Sequence, residues 1–184
     1  MSTTIIVLAV LAIIALFVIS LYNRLVRMNV GVDEAFAQIE VQLKRRSDLI
    51  PNLVETVKGY ASHESATFEK VVAARAKATT ASGVADVAAA DGMLTQALRG
   101  LLAVAEAYPD LKASTNFLAL QEELSTTENK VSFARQYYND NVRSLNTAVK
   151  TIPTSLFAGL AKITARPFYE VEDPQSRQAP TVKF

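Results

Sequence analysis

The side chains that could carry out chemistry are few, and none of them has a catalytic spacing. The chain contains one histidine, His63, and no cysteine. Without cysteine there can be no disulfide, thiolate metal site or cysteine nucleophile. The His63–Glu64 pair lacks the HExxH spacing of a zinc hydrolase, so an exposed histidine beside a packed or paired glutamate is the favoured interpretation. We therefore predict no catalytic, cofactor-binding or metal-binding residue and no enzymatic activity; an acid–base pair in the carboxylate-rich turn of the last long helix is the minor alternative.

Three charged side chains fall on or beside the apolar stripes of predicted helices. Arg46 follows Ile39 by seven residues, Glu64 follows Val57 by seven residues, and Glu128 adjoins the stripe of the last long helix. A charge on a buried helix face is costly unless it is paired. We predict that Arg46, Glu64 and Glu128 take part in one or more interhelical polar contacts that set the register of the helices. The functional alternative is a polar patch that binds a partner or an ion.

Two further groups of polar residues have both a structural and a functional interpretation. Tyr137 and Tyr138 could belong to a ligand site, but helical spacing favours Tyr138 in the core and Tyr137 on its flank. Lys44–Arg45–Arg46 could touch anionic lipid headgroups. However, a straight helix would carry Lys44 about 33 Å beyond Tyr22. A solvated basic cluster with one paired member is therefore favoured.

Composition excludes several classes of protein. The 184 residues include 19 Lys and Arg against 18 Asp and Glu, a balance that argues against binding to a nucleic-acid backbone. Half of the residues are hydrophobic, which argues against a disordered chain. Only six glycines and six prolines occur, which favours long helices. We predict an all-α protein.

The first 22 residues are typical of a transmembrane helix. No charged side chain precedes Arg24, and the run from Ile5 to Ile19 is uninterrupted and apolar. About 20 such residues span the roughly 30 Å hydrocarbon core of a bilayer. We predict a retained signal-anchor helix over residues 1–22, whose lipid-facing side chains are Ile5, Leu8, Leu11, Leu16, Phe17 and Tyr22. A cleaved signal peptide, which normally has a basic amino-terminal region, and a buried core helix are the disfavoured alternatives.

Charge near the end of this segment predicts its orientation. Arg24 and Arg27 follow the apolar run directly, whereas the amino-terminal side carries only the α-amino group. Because basic residues tend to remain in the cytoplasm, we predict a single-pass protein with its N-terminus outside and the rest inside.

The sequence after residue 22 predicts an elongated antiparallel bundle of three to four long helices. Apolar residues recur at steps of three, four and seven from Val32 to Tyr60, and the pattern goes on through Phe68 and Val71. A direct continuation of the membrane helix into this first helix fits the pattern. Pro51 predicts a kink or a break, with Ser47 or Asp48 capping the restarted helix. We predict a turn over residues 79–83, a helix over 84–107 and a long helix over 110–152, which Asp110 caps.

The carboxyl-terminal part is predicted to be less regular. In the segment TSLFAGLAKI that follows Pro153, Leu156, Phe157, Leu160 and Ile163 share one predicted face. The domain boundaries that we predict are 23–166 for the bundle and 167–184 for an extended tail, since three of the six prolines lie in the last stretch.

Three long segments resemble the LemA family of small membrane-anchored bacterial proteins. They are LKRRSDLIPNLVETVKGYASHE (residues 43–64), LLAVAEAYPDLKASTNFLALQEEL (101–124) and TENKVSFARQYYND (127–140), and the ending PFYE followed by APTVKF is also similar. Phe36 stands where many members have tryptophan. The resemblance implies a helix that anchors the protein in a bacterial cytoplasmic membrane, followed by a helical-bundle domain. A relative in magnetosome-forming bacteria is implicated in building membrane compartments, which suggests a membrane-organising role by analogy.

Two functions fit these observations. The first is a non-enzymatic scaffold that self-associates or binds partner proteins at the membrane, organising or shaping it. The alternative is an accessory or regulatory subunit of a separate membrane enzyme, such as a protease or a transporter. Ala9, Ala12 and Ala15 form a weak small-residue stripe that permits, but does not demand, a homo-oligomer. The lipid bilayer is the predicted partner in both cases, and nucleic acid in neither.

Overall fold

The structure, a computed structural model, describes residues 2–170. It confirms the all-α prediction: within that range there are six helices and no strand. The helices are α1 (Ser2–Lys58), α2 (Ser65–Thr80), α3 (Val84–Glu106), α4 (Pro109–Lys112), α5 (Thr115–Lys150) and α6 (Ser155–Ala158). The last residues of the predicted tail, 171–184, lie outside the described range.

Helix α1 continues through Pro51, where the sequence predicts a kink or a break. A proline in a helix leaves the carbonyl four residues earlier without its usual amide donor. That carbonyl belongs to Ser47, and the Arg75 Nε group donates a hydrogen bond to it over 3.0 Å. The predicted break is therefore wrong, because a side chain of α2 replaces the missing backbone donor. Asp48 caps no helix and instead accepts from Lys44 Nζ at 3.2 Å.

The first chain reversal, at residues 59–64, was not predicted, because the apolar pattern goes on across it to Val71. After α1 ends at Lys58, turn hydrogen bonds run from the Tyr60 and Ala61 amides to the Val57 carbonyl. The predicted turn at 79–83 is confirmed over residues 81–83, where Gly83 has φ +80°. This left-handed conformation is one that glycine adopts without a steric penalty.

The predicted helix over residues 110–152 is divided in two. Asp110 lies in the first turn of the short helix α4 rather than at a cap. The Ala113 amide donates to the Pro109 carbonyl, and α5 begins at Thr115. The boundary is wrong because the periodic apolar pattern continues across the turn.

The chain forms two compact units. Unit 1 comprises residues 1–37 and 136–168, and it therefore holds the start of α1 and the end of α5. These helices are antiparallel: Phe36 packs on Tyr138 with ring centroids 5.8 Å apart, and the α-carbon of Gly31 faces Asn141. A Cβ at Gly31 would lie 3.4 Å from the Asn141 Oδ1 atom, so the two helices approach closely there. The buried core of this unit includes Leu25, Val32, Ala35, Tyr138, Val142, Leu145 and Ile163.

The described residues of unit 2 are 38–135, Tyr169 and Glu170. Within this unit α2 packs against α3, and Arg46 of α1 and Arg135 of α5 both contact Asp91 of α3. Apolar side chains at helical spacing meet in one core, which includes Ile50, Leu53, Val57, Phe68, Val71, Leu94, Leu98, Leu101, Leu111, Phe117 and Leu124. All of these except Leu111 lie on apolar stripes that the sequence predicts to be buried, whereas Tyr60 of the same pattern is exposed.

The segment after Pro153 departs from its predicted pattern. Ala158 and Ile163 are buried, whereas Leu156 and Leu160 are exposed. The four residues expected on one face therefore do not share one environment. The reason is that α6 ends at Ala158, and Lys162 then adopts a positive φ of 54° that turns the chain.

Candidate functional site

The predicted lipid-facing side chains lie on an exposed helix surface. Ile5, Leu8, Leu11, Leu16, Phe17 and Tyr22 are all exposed, and the most apolar 18-residue window of α1 has a mean hydropathy of 3.2 with only 6% of it buried. Burial separates this segment from an ordinary core helix, whose apolar side chains would be covered. In the described part of the chain, α1 is the one helix that is both long enough and apolar enough to cross a membrane.

The two residues predicted to set the topology follow this surface directly. Arg24 and Arg27 are both exposed on α1, on either side of the buried Leu25. Leu25 belongs to the core of unit 1, so the exposed apolar stretch passes into packed protein without an intervening loop. The guanidinium groups thus lie at the change from an exposed apolar surface to a packed helix.

Arg46 is buried and paired with Asp91, which is not one of the predicted residues. Its side chain is 2% exposed, and its Nη1 atom donates to Asp91 Oδ1 at 2.9 Å and to Thr95 Oγ1 at 3.0 Å. Both partners lie on α3, so the contact joins two helices. Glu64 occupies the N-cap position of α2 without a side-chain capping hydrogen bond, and Glu128 is exposed. The structure does not bring these three predicted residues together.

Asp91 is the centre of a buried polar cluster, which we define as Arg46, Asp91, Thr95, Arg135 and Tyr169. The Asp91 side chain is 1% exposed. Its Oδ2 atom accepts from Arg135 Nη2 and, at 3.1 Å, from the Tyr169 hydroxyl. The Arg135 guanidinium also lies 5.3 Å from the centre of the Tyr169 ring, a cation–π distance. The Asp91 carboxylate of α3 thereby connects α1, α5 and Tyr169 within unit 2.

The buried polar cluster holds two guanidinium groups against one carboxylate. The Nε atoms of Arg46 and Arg135 are buried and make no hydrogen bond in the described part of the chain. Because a buried unpaired charge costs far more than a paired one, both guanidiniums depend on Asp91. This makes Asp91 the residue of unit 2 whose loss should be least tolerated.

The electrostatics of the cluster keep Tyr169 protonated. Burial raises the pKa of the Tyr169 hydroxyl, the Asp91 carboxylate beside it raises the pKa further, and the Arg135 guanidinium opposes the shift. A protonated hydroxyl can donate to Asp91 across the neutral range. The tyrosine of the PFYE motif is thus a buried hydrogen-bond donor.

In unit 1, polar contacts hold the residues around Arg166. The Asn146 side-chain amide donates to the Arg166 carbonyl at 2.9 Å and its Oδ1 accepts from the Arg166 amide at 2.8 Å. The Tyr138 hydroxyl donates to the Pro167 carbonyl at 2.9 Å, and the Arg166 guanidinium pairs with Asp33. Burial raises the pKa of Tyr138. The Arg166 charge lowers this pKa and the Asp33 charge raises it further. Pro167, the first residue of the predicted tail, is therefore attached to packed helices.

The two tyrosines and the basic run that the sequence singles out are either packed in the core, exposed, or paired with other residues of the chain. Tyr138 is buried and Tyr137 is exposed, as expected from their spacing. Lys44 pairs with Asp48 and Arg45 pairs with Glu123, so the basic run has more than one paired member. Each of these charges has a protein partner, and none of them requires a headgroup.

The geometry of the polar residues is suited to holding helices together. Within residues 2–170 no group of three or more His, Asp or Glu side chains is placed to bind a metal ion. A cleft of about 370 Å³ does reach Asp91, and its polar lining includes Glu40, Lys44 and Ser47. Because both Asp91 oxygens already accept hydrogen bonds from the cluster, the carboxylate serves chiefly as a structural counter-ion.

A gap in the apolar pattern of α3 could have revealed Asp91. Apolar residues of this helix recur at Leu94, Leu98 and Leu101. The step before them, from Val87 to Leu94, is seven residues long, and its intermediate heptad position is Asp91. A charged residue at a position where the pattern requires an apolar one is a sign of a buried pair. Tyr169 and Arg135 carried no comparable signal, because neither belongs to the periodic apolar stripes.

Comparison with known proteins agrees with the resemblance. The LemA family profile matches residues 35–184. The chain is also similar to Protein LemA of Metamycoplasma hominis, with 28% identity over 139 residues. That alignment covers 74% of this chain and 63% of the relative, so the chain spans somewhat less than two thirds of the relative's length. Since the family match extends over most of the sequence, this chain belongs to the LemA family.

Proposed function

We propose that this protein is a non-enzymatic scaffold anchored in the bacterial cytoplasmic membrane by the first part of α1. The observation that carries the proposal is the continuity of this helix. It exposes an apolar surface over residues 5–19 and then buries Leu25, Val32 and Ala35 in unit 1 without a break. A large exposed apolar surface is unstable in water and is stable in a lipid environment.

A continuous helix has a mechanical consequence. A flexible linker would let the bundle rotate freely above the membrane, whereas a helix transmits the orientation of the anchor to the residues that follow it. Unit 1 is thus held in a defined orientation relative to the bilayer. Such a constraint suits a protein that presents a fixed surface to copies of itself or to other membrane proteins.

The orientation that we propose has the N-terminus outside and the helical bundle in the cytoplasm. Arg24 and Arg27 support it, because both are exposed immediately after the apolar surface. Single cysteines test it, since the chain has no native cysteine. In intact cells a cysteine replacing the exposed Lys70 should be protected from an impermeant thiol reagent, and it should react once the cytoplasmic membrane is opened. Reaction in intact cells would contradict this orientation.

The scaffold role predicts self-association or binding to partner proteins. The full chain in lipid nanodiscs should give a particle mass above that of one copy, and an Ala12→Cys variant should form disulfide-linked dimers on mild oxidation. The matched control is Val10→Cys, whose side chain is exposed and points away from the Ala9, Ala12 and Ala15 stripe. Stable monomers without a co-purifying protein would contradict the proposal. A complex with one membrane enzyme and no self-association would instead favour the accessory-subunit role.

A further inference from the structure

Unit 1 exposes large aliphatic side chains at one end of its helices. Ile152, Leu156 and Leu160 follow one another at intervals of four residues and are 80%, 67% and 76% exposed. We call these three residues the apolar tip. They belong to the turn after α5, to α6 and to the turn after it. Packed protein lies on the other side of this segment, where Thr154, Ala158 and Ile163 are buried. The tip therefore consists of apolar groups directed away from the unit that holds them.

The apolar tip lies beside the last turns of the proposed membrane helix. Ile152 and Pro153 line a cleft of about 470 Å³ together with Leu21 and Arg24 of α1. Leu21 is partly buried, as is Val18 one turn earlier, whereas the other residues of the apolar run are exposed. If the apolar run fills the hydrocarbon core, Leu21 marks its edge. The tip is consequently at the depth where acyl chains meet headgroups.

The charge of the surrounding sequence is one-sided. Residues 1–32 and 141–169 contain no Asp or Glu but include six basic residues. Four of them, Arg24, Arg27, Lys150 and Lys162, are exposed. Of the other two, Arg143 pairs with Asp140 and Arg166 pairs with Asp33. Exposed Lys and Arg around an apolar surface is the pattern by which proteins bind a bilayer that contains anionic lipids.

We propose that the apolar tip is a second membrane contact, in which Ile152, Leu156 and Leu160 enter the boundary between headgroups and acyl chains beside α1. Lys150 and Lys162 then lie near the phosphates of anionic lipids. This inference rests on the proposed membrane anchor, because the anchor fixes the depth of the tip. Lipid is the occupant that fits, since the tip adjoins the end of an apolar span and is bordered by basic groups. Two contacts fix both the tilt and the rotation of unit 1 on the membrane.

Site-directed spin labelling of the full chain in vesicles tests this contact. Labels on Ile13→Cys, Leu156→Cys and Phe133→Cys report on the anchor, the tip and an exposed apolar position of unit 2. The vesicles contain phosphatidylethanolamine and phosphatidylglycerol. Oxygen, which partitions into lipid, and a water-soluble nickel chelate relax the labels according to their depth. We expect the Leu156 label to lie about 5 Å below the headgroups, as for interfacial helices. The Phe133 label should remain in water.

The outcomes distinguish the inference from the proposal beneath it. A Leu156 label as accessible to the nickel chelate as the Phe133 label, with the Ile13 label in hydrocarbon, overturns the tip contact and leaves the anchor intact. A Leu156 label shielded from both reagents indicates a protein occupant and also overturns it. An Ile13 label in water overturns the anchor, and the tip contact with it.

The charge component has its own test. Replacing the anionic vesicles by phosphatidylcholine alone should make the Leu156 label shallower, because Lys150 and Lys162 lose their phosphate counter-charges. The Lys150→Gln/Lys162→Gln variant should show the same shallow depth in both lipids, whereas the exposed control pair Lys70→Gln/Lys130→Gln should behave as wild type. Equal depths for the wild-type tip in both kinds of vesicle would overturn the headgroup contact.

Discussion

The two parts of α1 place their side chains in opposite ways. Between Ile5 and Ile19 the helix exposes aliphatic groups, whereas further along it buries the guanidinium of Arg46. Both arrangements would be unfavourable for a lone helix in water. Each is stable only with a particular partner, which is lipid for the aliphatic surface and a buried carboxylate for the guanidinium. The comparison shows that the same helical backbone serves two environments and that the partner of each side chain decides which environment it has.

The largest expected effect comes from removing the counter-charge of the buried part. Asp91→Asn keeps the shape of the side chain but leaves Arg46 and Arg135 without an anionic partner. We expect the free energy of unfolding of the detergent-solubilised chain to fall by about 3–5 kcal/mol, the usual cost of breaking a buried ion pair. Chemical denaturation followed by circular dichroism measures it. Asp48→Asn is the control, because its pair with Lys44 is exposed and contributes little.

A double-mutant cycle sharpens this result. Arg46→Met and Asp91→Asn should be strongly non-additive, since each removes the same ion pair. Arg46→Met combined with Glu128→Gln should be additive, because Glu128 is exposed. Additive losses for Arg46 and Asp91 would show that the pair does not stabilise unit 2.

The next effect tests how α1 passes through Pro51. Arg75→Met removes the donor to the Ser47 carbonyl, so we expect a loss of about 1–3 kcal/mol in the free energy of unfolding, typical of an unsatisfied buried group. Pro51→Ala supplies a backbone amide for that carbonyl and should recover most of the loss in the Arg75→Met background. Lys77→Met, an exposed change on the same helix, serves as the control. Failure of Pro51→Ala to rescue Arg75→Met would contradict the substitution of one donor for the other.

The smallest effect concerns Tyr169 and depends on pH. Tyr169→Phe removes one hydrogen bond to Asp91, so we expect a loss of about 1 kcal/mol near neutral pH. The pKa of Tyr169 is raised in the folded state, so the unfolded state loses its proton first, near the ordinary value of 10.0. Wild-type stability should therefore decline relative to Tyr169→Phe above pH 10, by up to about 1.4 kcal/mol per pH unit.

Denaturation of both proteins between pH 8 and pH 11 measures the difference. Tyr137→Phe provides the control, because the Tyr137 side chain is exposed. A constant gap between wild type and Tyr169→Phe throughout this range would exclude a role for the buried hydroxyl.

Local pattern determined the helical class, the apolar anchor surface and most of the core. Apolar residues at steps of three and four identify a buried face wherever the helix packs, so stripe residues such as Val32 and Leu94 could be predicted individually. The anchor helix can be predicted from the charge-free run from Ile5 to Ile19 without tertiary information, because the length and composition of this run match the hydrocarbon core of a bilayer. Membership of the LemA family likewise follows from long strings of residues.

Tertiary structure alone decided which groups are paired. Arg46 meets Asp91 across 45 residues of sequence, Arg75 reaches Ser47 across 28, and Tyr169 reaches Asp91 across 78. Periodicity reports which face of a helix is buried, but it carries no information about which neighbour lies opposite. Two features depend on such neighbours. Helix α1 continues through Pro51 because the distant Arg75 side chain supplies the missing hydrogen-bond donor. The apolar tip is exposed because the packing of Ala158 and Ile163 turns Leu156 and Leu160 outward.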